Sequence, residues 1–289
     1  MKNRVAVLLF VVLASSLFVG ATAQAAKEPI TLYTDRYAGN EAISRVAQQL
    51  IESHFDTPVE LNTVSVGVSF VGTANNERDM FMGVWLPKTH EHYMERVKDD
   101  VVHVGTMYKG ARLGWAVPDY IPEEQLKSFS DLKKPAVKQR LNSRIQGISA
   151  GAGEMGLSKQ ALKDYGLDGY TLTTASGAAM TAELKRAIDR NEWIVVTGWS
   201  PHWKWVRYDL RYLDDPKHSL GEAETVEAIA NPKLVESEPE IMAFMKRMQF
   251  SLEQVNNMAA DANETSYDAA GKRFIENHPD LVKTWVGSK

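Results

Sequence analysis

Past residue 26 the chain alternates between short apolar runs and stretches with helical spacing. Ile30 to Thr34 has the character of a short strand. Ile43, Val46, Ala47 and Leu50 then recur at i, i+3, i+4 and i+7, which predicts an amphipathic helix. Val59, Leu61 and Thr63 alternate with polar residues, a second strand. From Val64 to Asp79 the pattern fits neither period. Met80 to Trp85 is a third apolar run, and Pro87 ends its capacity for sheet pairing. The pattern returns further on. Arg144 to Ile148 predicts a strand, Ser158 a helix cap with Gly166 as its stop, and Tyr170 to Thr174 another strand. Met180, Leu184, Ala187 and Ile188 share one helix face. Trp193 to Thr197 is a continuous apolar run, as a buried parallel strand requires. Two α/β units result, about 26–112 and 118–210, followed from Pro239 by helices that Pro279 breaks. No low-complexity linker separates them, so a hinged pair of lobes facing a cleft is expected.

The first residues read as an address. Lys2 and Arg4 precede an almost wholly apolar stretch, Val5 to Val19, which is too short for a comfortable span of about 20 residues. Ala23-Gln24-Ala25 then supplies an A-x-A cleavage site, so residues 1–25 are expected to be a secretory signal peptide. No later segment is long and apolar enough to cross a bilayer, so no membrane insertion of the mature chain is expected. The chain lacks cysteine, which excludes disulfides, thiolate metal sites, Cys nucleophiles and a lipid anchor on Cys. Its 33 basic residues against 37 acidic argue against a nucleic-acid or anionic-membrane partner. A free exported chain of this kind is expected in a bacterial periplasm.

In open parallel sheets ligands gather beyond the carboxyl ends of strands. Here those ends carry Asp35-Arg36-Tyr37, then Trp85 with His90 and His92, then Gly147-Ile148 with the loop 149–153, then Trp199-Ser200-Pro201-His202-Trp203. Large aromatics at such positions call for a reason outside the strand's own core. Ring faces from two lobes would make a box for a quaternary ammonium group, because the faces are negative and a methylated cation is cheap to desolvate. Simple packing is the alternative for Trp85 and Trp199. It is the favoured reading for Trp203, Trp205 and Trp285, and for Trp115, whose stretch Leu113 to Pro118 resembles a crossover strand. A histidine beside the box, or the backbone N–H groups of the glycine loop, could hold the carboxylate of a zwitterion.

Two other chemistries compete. His90 and His92 invite a metal, but no third ligand stands at a recognisable spacing, and none is expected. Gly147-Ile148-Ser149-Ala150-Gly151 is a literal G-x-S-x-G, which would make Ser149 the nucleophile of a secreted serine hydrolase with His202, His218 or His278 as base. The elbow, however, needs a helix starting directly behind the serine, and Ala150 to Gly153 is flexible.

Several segments, in this order, carry a resemblance: Val84-Trp85-Leu86-Pro87-Lys88-Thr89-His90, the stretch Gly110 to Pro118, Gly147 to Gly153, Ser176-Gly177-Ala178-Ala179-Met180, Val196 to Trp203, and Asp209 to Pro216. Together they resemble the glycine betaine/choline/carnitine class of substrate-binding proteins of ABC importers, over nearly the whole mature chain. The resemblance implies a type II periplasmic-binding-protein fold: two α/β lobes, 26–112 with 215–289 and 113–214, joined by a two-segment hinge over a ligand cleft. It implies a monomeric binder rather than an enzyme, with no cofactor, that delivers a quaternary-ammonium solute to an inner-membrane permease. It places Trp85 and Trp199 as walls of an aromatic prism. Tyr37 stands where a third tryptophan is usual. His90, Gly147 and Ile148 fall at the carboxylate-holding positions, and Ser149 replaces a frequent aspartate.

Overall fold

A computed structural model describes residues 27–287; the predicted signal peptide lies outside the described residues. Nine strands form one hydrogen-bonded sheet: β1 (Ile30–Thr34), β2 (Val59–Thr63), β3 (Asp79–Leu86), β4 (Val102–Pro118), β5 (Arg144–Gln146), β6 (Thr171–Thr173), β7 (Val196–Ser200), β8 (Leu210–Tyr212) and β9 (Glu224–Ala230). Their order is β2-β1-β3-β9-β4-β7-β5-β6, with β8 on β4. β1 pairs in parallel with β2 and β3, while β9 runs antiparallel between β3 and β4. In the second half β5 lies parallel to β6 and β7.

One strand joins the two halves. β4 pairs with β9 as far as Ala111, and from Arg112 onward it pairs with β7 and then β8. The chain passes between the halves a second time between β8 and β9. Long helices cover both sheet faces, which is why β3 is buried along nearly its whole length. The helix Ala38–Phe55 turns Ala42, Ile43, Val46, Ala47, Leu50 and Ile51 inward, the stripe its spacing predicts. Among the described residues no helix is long and apolar enough to cross a membrane.

Four local expectations change, the first being that the helix expected to start at a Ser158 cap begins at Gly153, with Ser158 buried inside it. The patternless stretch after Thr63 contains the helix Val66–Asn75. It buries Val66, Ser69, Phe70 and Thr73 and exposes Val68 and Val71, so its apolar residues do not mark one face. The hydroxyls turned inward are satisfied by the helix itself, Thr73 Oγ1 donating to the Ser69 carbonyl at 2.8 Å. The last parallel strand is Val196–Ser200 rather than Trp193–Thr197, so Trp199 is a strand residue. Trp85 likewise lies inside β3 rather than after it.

Trp115 does what its crossover position suggested. It is buried in β4, stacks on Phe129 at 4.1 Å, and its Nε1 donates to Ser158 Oγ at 3.0 Å. Trp115→Ala removes a large side chain and leaves Ser158 unpaired, so a loss of about 3–5 kcal/mol is expected. A chemical denaturation midpoint that does not move would show that this half draws its stability from elsewhere.

Candidate functional site

The three aromatic residues singled out at strand ends converge. Tyr37 lies 6.5 Å from Trp85 in an edge-on arrangement and 5.0 Å from Trp199 at a tilt of 32°. Tyr37 and Trp85 come from the first half, Trp199 from the second, so the cluster spans the line between them. Both tryptophans are almost fully buried. Each is followed by a residue and a proline joined by a cis peptide bond, Leu86-Pro87 and Ser200-Pro201. Tyr37 and Trp199 touch, so a head group can enter between those two rings only if the halves part.

Each ring has its own support. Asp35, itself buried, accepts from the Tyr37 N–H at 2.9 Å and from Asn40 Nδ2 at 3.0 Å. This turn fixes Tyr37 at the start of its helix. Desolvation raises the Asp35 carboxyl to about 7, against the pull of these donors. Trp85 is held through its backbone, whose N–H donates to His90 Nδ1 at 3.0 Å. The loop between them is pinned by Thr89, whose hydroxyl donates to Glu224 at 2.6 Å.

That bond fixes the chemistry of His90. With Nδ1 accepting, the neutral ring carries its proton on Nε2. Burial pushes the imidazole down to about 3, so the ring is neutral at physiological pH. Its Nε2 is buried and finds no acceptor, and the same is true of the indole Nε1 of Trp85 and of Trp199. A buried donor without a partner costs about 1–3 kcal/mol. Three such donors on the residues of one aromatic cluster point to a ligand that accepts hydrogen bonds.

Gly147 and Ile148 lie behind the cluster at the end of β5. The Gly147 N–H donates to the Thr173 carbonyl at 2.9 Å. A Cβ at Gly147 would strike that carbonyl and Met155, so only glycine fits the approach. The Ile148 N–H meets the Met155 sulfur at 3.3 Å, a weak acceptor. Ile148, not Gly147, therefore has a donor that another acceptor could easily claim.

A cavity of about 630 Å³ opens beside Tyr37, Ile148 and Trp199. Its lining includes Arg36 from the first strand end and adds residues that the strand-end argument did not find, including Tyr208 and Tyr267. Trp203 also lines it, while packing beside His202 and Tyr208. Trp285 does pack, in a cluster with Phe250 and Phe274, and Trp205 lies against Tyr212. Trp85 and His90 are not on the cavity wall; they sit deeper, behind Tyr37.

The halves are in contact around this site. Tyr93 OH donates to the Gly151 carbonyl at 2.9 Å, and the His202 N–H donates to Asn256 Oδ1 at 2.9 Å. Gly153 lies so close to the Thr89 carbonyl that a Cβ would collide with it.

The geometry does not assemble a hydrolase. The helix after Ser149 starts at Gly153, not directly behind the serine. His202 Nδ1 accepts from the Lys204 N–H. Among the described residues no hydrogen bond joins Ser149 to a histidine, and no group of three metal-ligating side chains gathers anywhere.

Residues 28–277 match the family described as the substrate binding domain of ABC-type glycine betaine transport systems. The chain belongs to this family. Its members are transporter substrate-binding proteins, not enzymes. Among curated relatives the chain is similar to the glycine betaine/carnitine transport binding protein GbuC of Listeria monocytogenes, 39% identical over 159 residues. That stretch is 54% of this chain and 53% of the Listeria protein, so the match spans about half the relative's length. Among solved structures it is similar to lactococcal OpuAC in a closed-liganded conformation with glycine betaine, with TM-score 0.83 and 29% identity. The alignment covers 90% of this chain and 100% of that one. It is also similar to the glycine betaine/L-proline-binding protein ProX of Borrelia burgdorferi, with TM-score 0.84, 28% identity, and coverage of 90% and 97%. The fold is the type II periplasmic-binding-protein fold of two α/β lobes.

Two buried ionisable side chains, Glu154 and Lys204, contact the β7 backbone at Gly198 and Trp199. Glu154 accepts from the Gly198 N–H at 2.9 Å, and its other oxygen has no partner. Desolvation raises this carboxyl to about 8, with Lys204 opposing. Its folded value thus exceeds the unfolded one, so the folded state binds the proton more tightly. Stability conferred by that proton is present at low pH and is lost as pH rises through about 8. Glu154→Gln keeps the Gly198 bond and abolishes the titration. Its melting temperature is expected to match wild type near pH 5 and to exceed it by pH 8.5; a constant difference across that range would rule out Glu154 as the titrating group.

Proposed function

We propose that this protein captures a quaternary-ammonium solute, glycine betaine first among them, in the cleft between its lobes and hands it to a membrane permease. Tyr37, Trp85 and Trp199 form the box around the methylated head. His90 Nε2 and the Ile148 N–H take the carboxylate, and the Gly147 N–H joins them only by giving up Thr173. The observation that carries the reading is the meeting of three rings from both halves, with unpartnered N–H donors on the same residues.

The physical logic is differential contact. A trimethylammonium group gains from each ring face, most where water is excluded, and exclusion requires both halves. The ligand thereby favours the arrangement in which the halves meet. Hinge motion is assigned to the two passages between the halves, around Gly110–Pro118 and Arg207–Pro216. Lobe I then comprises 26–112 with 215–289, and lobe II comprises 113–214. The protein acts as a monomer in the periplasm after its signal peptide is removed, and a permease with an ATP-hydrolysing subunit recognises the liganded form. The family and the relatives that bind glycine betaine support this assignment.

A thermal-shift panel of glycine betaine, carnitine, choline and trimethylamine oxide tests the ligand class, since tight binding raises apparent stability. Trp85→Ala and Trp199→Ala are each expected to weaken glycine betaine binding at least about tenfold by calorimetry. Wild-type affinity in both variants would dismantle the box. His90→Ala should harm glycine betaine more than choline, which has no carboxylate; equal losses would remove the carboxylate role. Gly153→Ala should lower affinity by about tenfold at unchanged melting temperature, because its methyl group obstructs Thr89 and the approach of the halves. Unaltered affinity would mean that this approach is not required.

A further inference from the structure

Trp199 carries a second charge relationship that the box does not use. Lys204 is fully buried, and its Nζ stands 3.9 Å from the centroid of the Trp199 ring. The same nitrogen lies 5.5 Å over Trp205, whose Nε1 donates to the Trp199 carbonyl at 2.7 Å. Its hydrogen-bond acceptor is that same carbonyl, at 3.4 Å. Glu154 is the nearby acid, but it does not form an ion pair with Lys204. Tyr37 covers Trp199 at 5.0 Å, yet the Lys204 ammonium lies over Trp199 and Trp205 and not over Tyr37. Lys204 and Tyr37 therefore both contact the indole of Trp199, the ammonium without lying over the tyrosine ring.

We infer that Lys204 sets the strength of the quaternary-ammonium box through its contact with the Trp199 ring, weakening the box when charged and strengthening it when neutral. This deepens the binding reading above and rests on it. Both faces of an indole share one π system. A cation already held against the ring draws electron density toward itself and repels a second cation at the same indole, so the ring attracts a methylated head less. Lys204 is thus a positioning and tuning residue, with no contact to the ligand.

The surroundings make the charge adjustable. Burial lowers the Lys204 ammonium to about 7, with Glu154 opposing the shift. The groups that face it are few. Glu154 comes from the helix Gly153–Asp164, and His202 from the loop after β7, held neutral by burial and by Lys204 itself. Tyr212 of β8 lies behind Trp205, with Arg112 of β4 on its outer face. From the helix Leu252–Glu264 the facing residue is the uncharged Asn256. The sign follows directly. Below its transition Lys204 is charged and the box is weak; above it Lys204 is neutral and the box is strong.

Asp35 titrates in the same range, and its contribution cancels in a ratio between variants at each pH; Glu154 is coupled to Lys204, so each ratio is repeated in a Glu154→Gln background, which removes that titration. Glycine betaine affinity is measured by calorimetry for wild type, Lys204→Met and Lys204→Arg at pH 6 and pH 9. Met keeps the length and removes the charge; Arg keeps the charge at both pH values. Lys204→Met is expected to bind about fivefold tighter than wild type at pH 6 and equally at pH 9. Lys204→Arg should equal wild type at pH 6 and bind about fivefold more weakly at pH 9. A Met-to-wild-type ratio that does not change with pH, or an Arg variant that restores wild-type affinity at pH 9, overturns the role of Lys204. Absence of glycine betaine binding by wild type at both pH values overturns the underlying box instead.

Discussion

The contact of Tyr37 on Trp199 is the point at which the two halves become one site. Each ring is fixed by its own half: Tyr37 by the buried Asp35 turn, Trp199 by its place in β7. Neither half alone can enclose a cation, because ring faces on one side leave the other side wet. Cation–π attraction is worth little when water competes and most when it is excluded. The fold therefore has to bring two strand ends together across a joint, and β4 does this by belonging to both sheets. Its first part pairs with β9 and its second with β7, so the strand that carries the connection also lies beside the strand that carries Trp199.

The polar design follows the same constraint. A box built only of ring faces would hold any greasy cation. The unpartnered donors on His90, Trp85 and Trp199 are tolerated at a cost, and a core meant only for packing would not keep them. His90 is instructive here. Its Nδ1 is committed to the Trp85 backbone, which leaves the proton on the other nitrogen, and burial keeps the ring from charging. The residue that shapes the wall's backbone is thereby also a neutral, fixed donor.

Much of this was legible in the sequence, for a physical reason. A parallel strand buried on both faces reads as an apolar run, and a tryptophan at its carboxyl end stands out beside proline and histidine. Trp85 and Trp199 were visible on those grounds, and Tyr37 because it follows the first strand. The helix Val66–Asn75 was not visible. It hides Ser69 and Thr73 by satisfying their hydroxyls internally and leaves valines outside, so periodicity points the wrong way. That Trp203 also borders the cavity was not legible, because nothing in W-x-P-H-W distinguishes a ring in the core from one on a cavity wall.

Lys204 was illegible for a different reason. A lysine next to two tryptophans reads as a solvated charge, since burying an ammonium is costly unless something compensates. The compensation here is tertiary: an indole face from β7, a backbone carbonyl, and the carboxyl of Glu154 from a helix fifty residues earlier in the chain. None of these leaves a trace at local spacing. Two buried ionisable groups in one small region, each pushed toward neutrality by desolvation, store a free-energy difference that core packing alone does not need. Lys204 lies against the Trp199 ring and Glu154 against the neighbouring Gly198 N–H, so their charge state is felt at the ring that meets Tyr37 from the other half. An apolar residue at position 204 would pack Trp199 as firmly but would leave that coupling out.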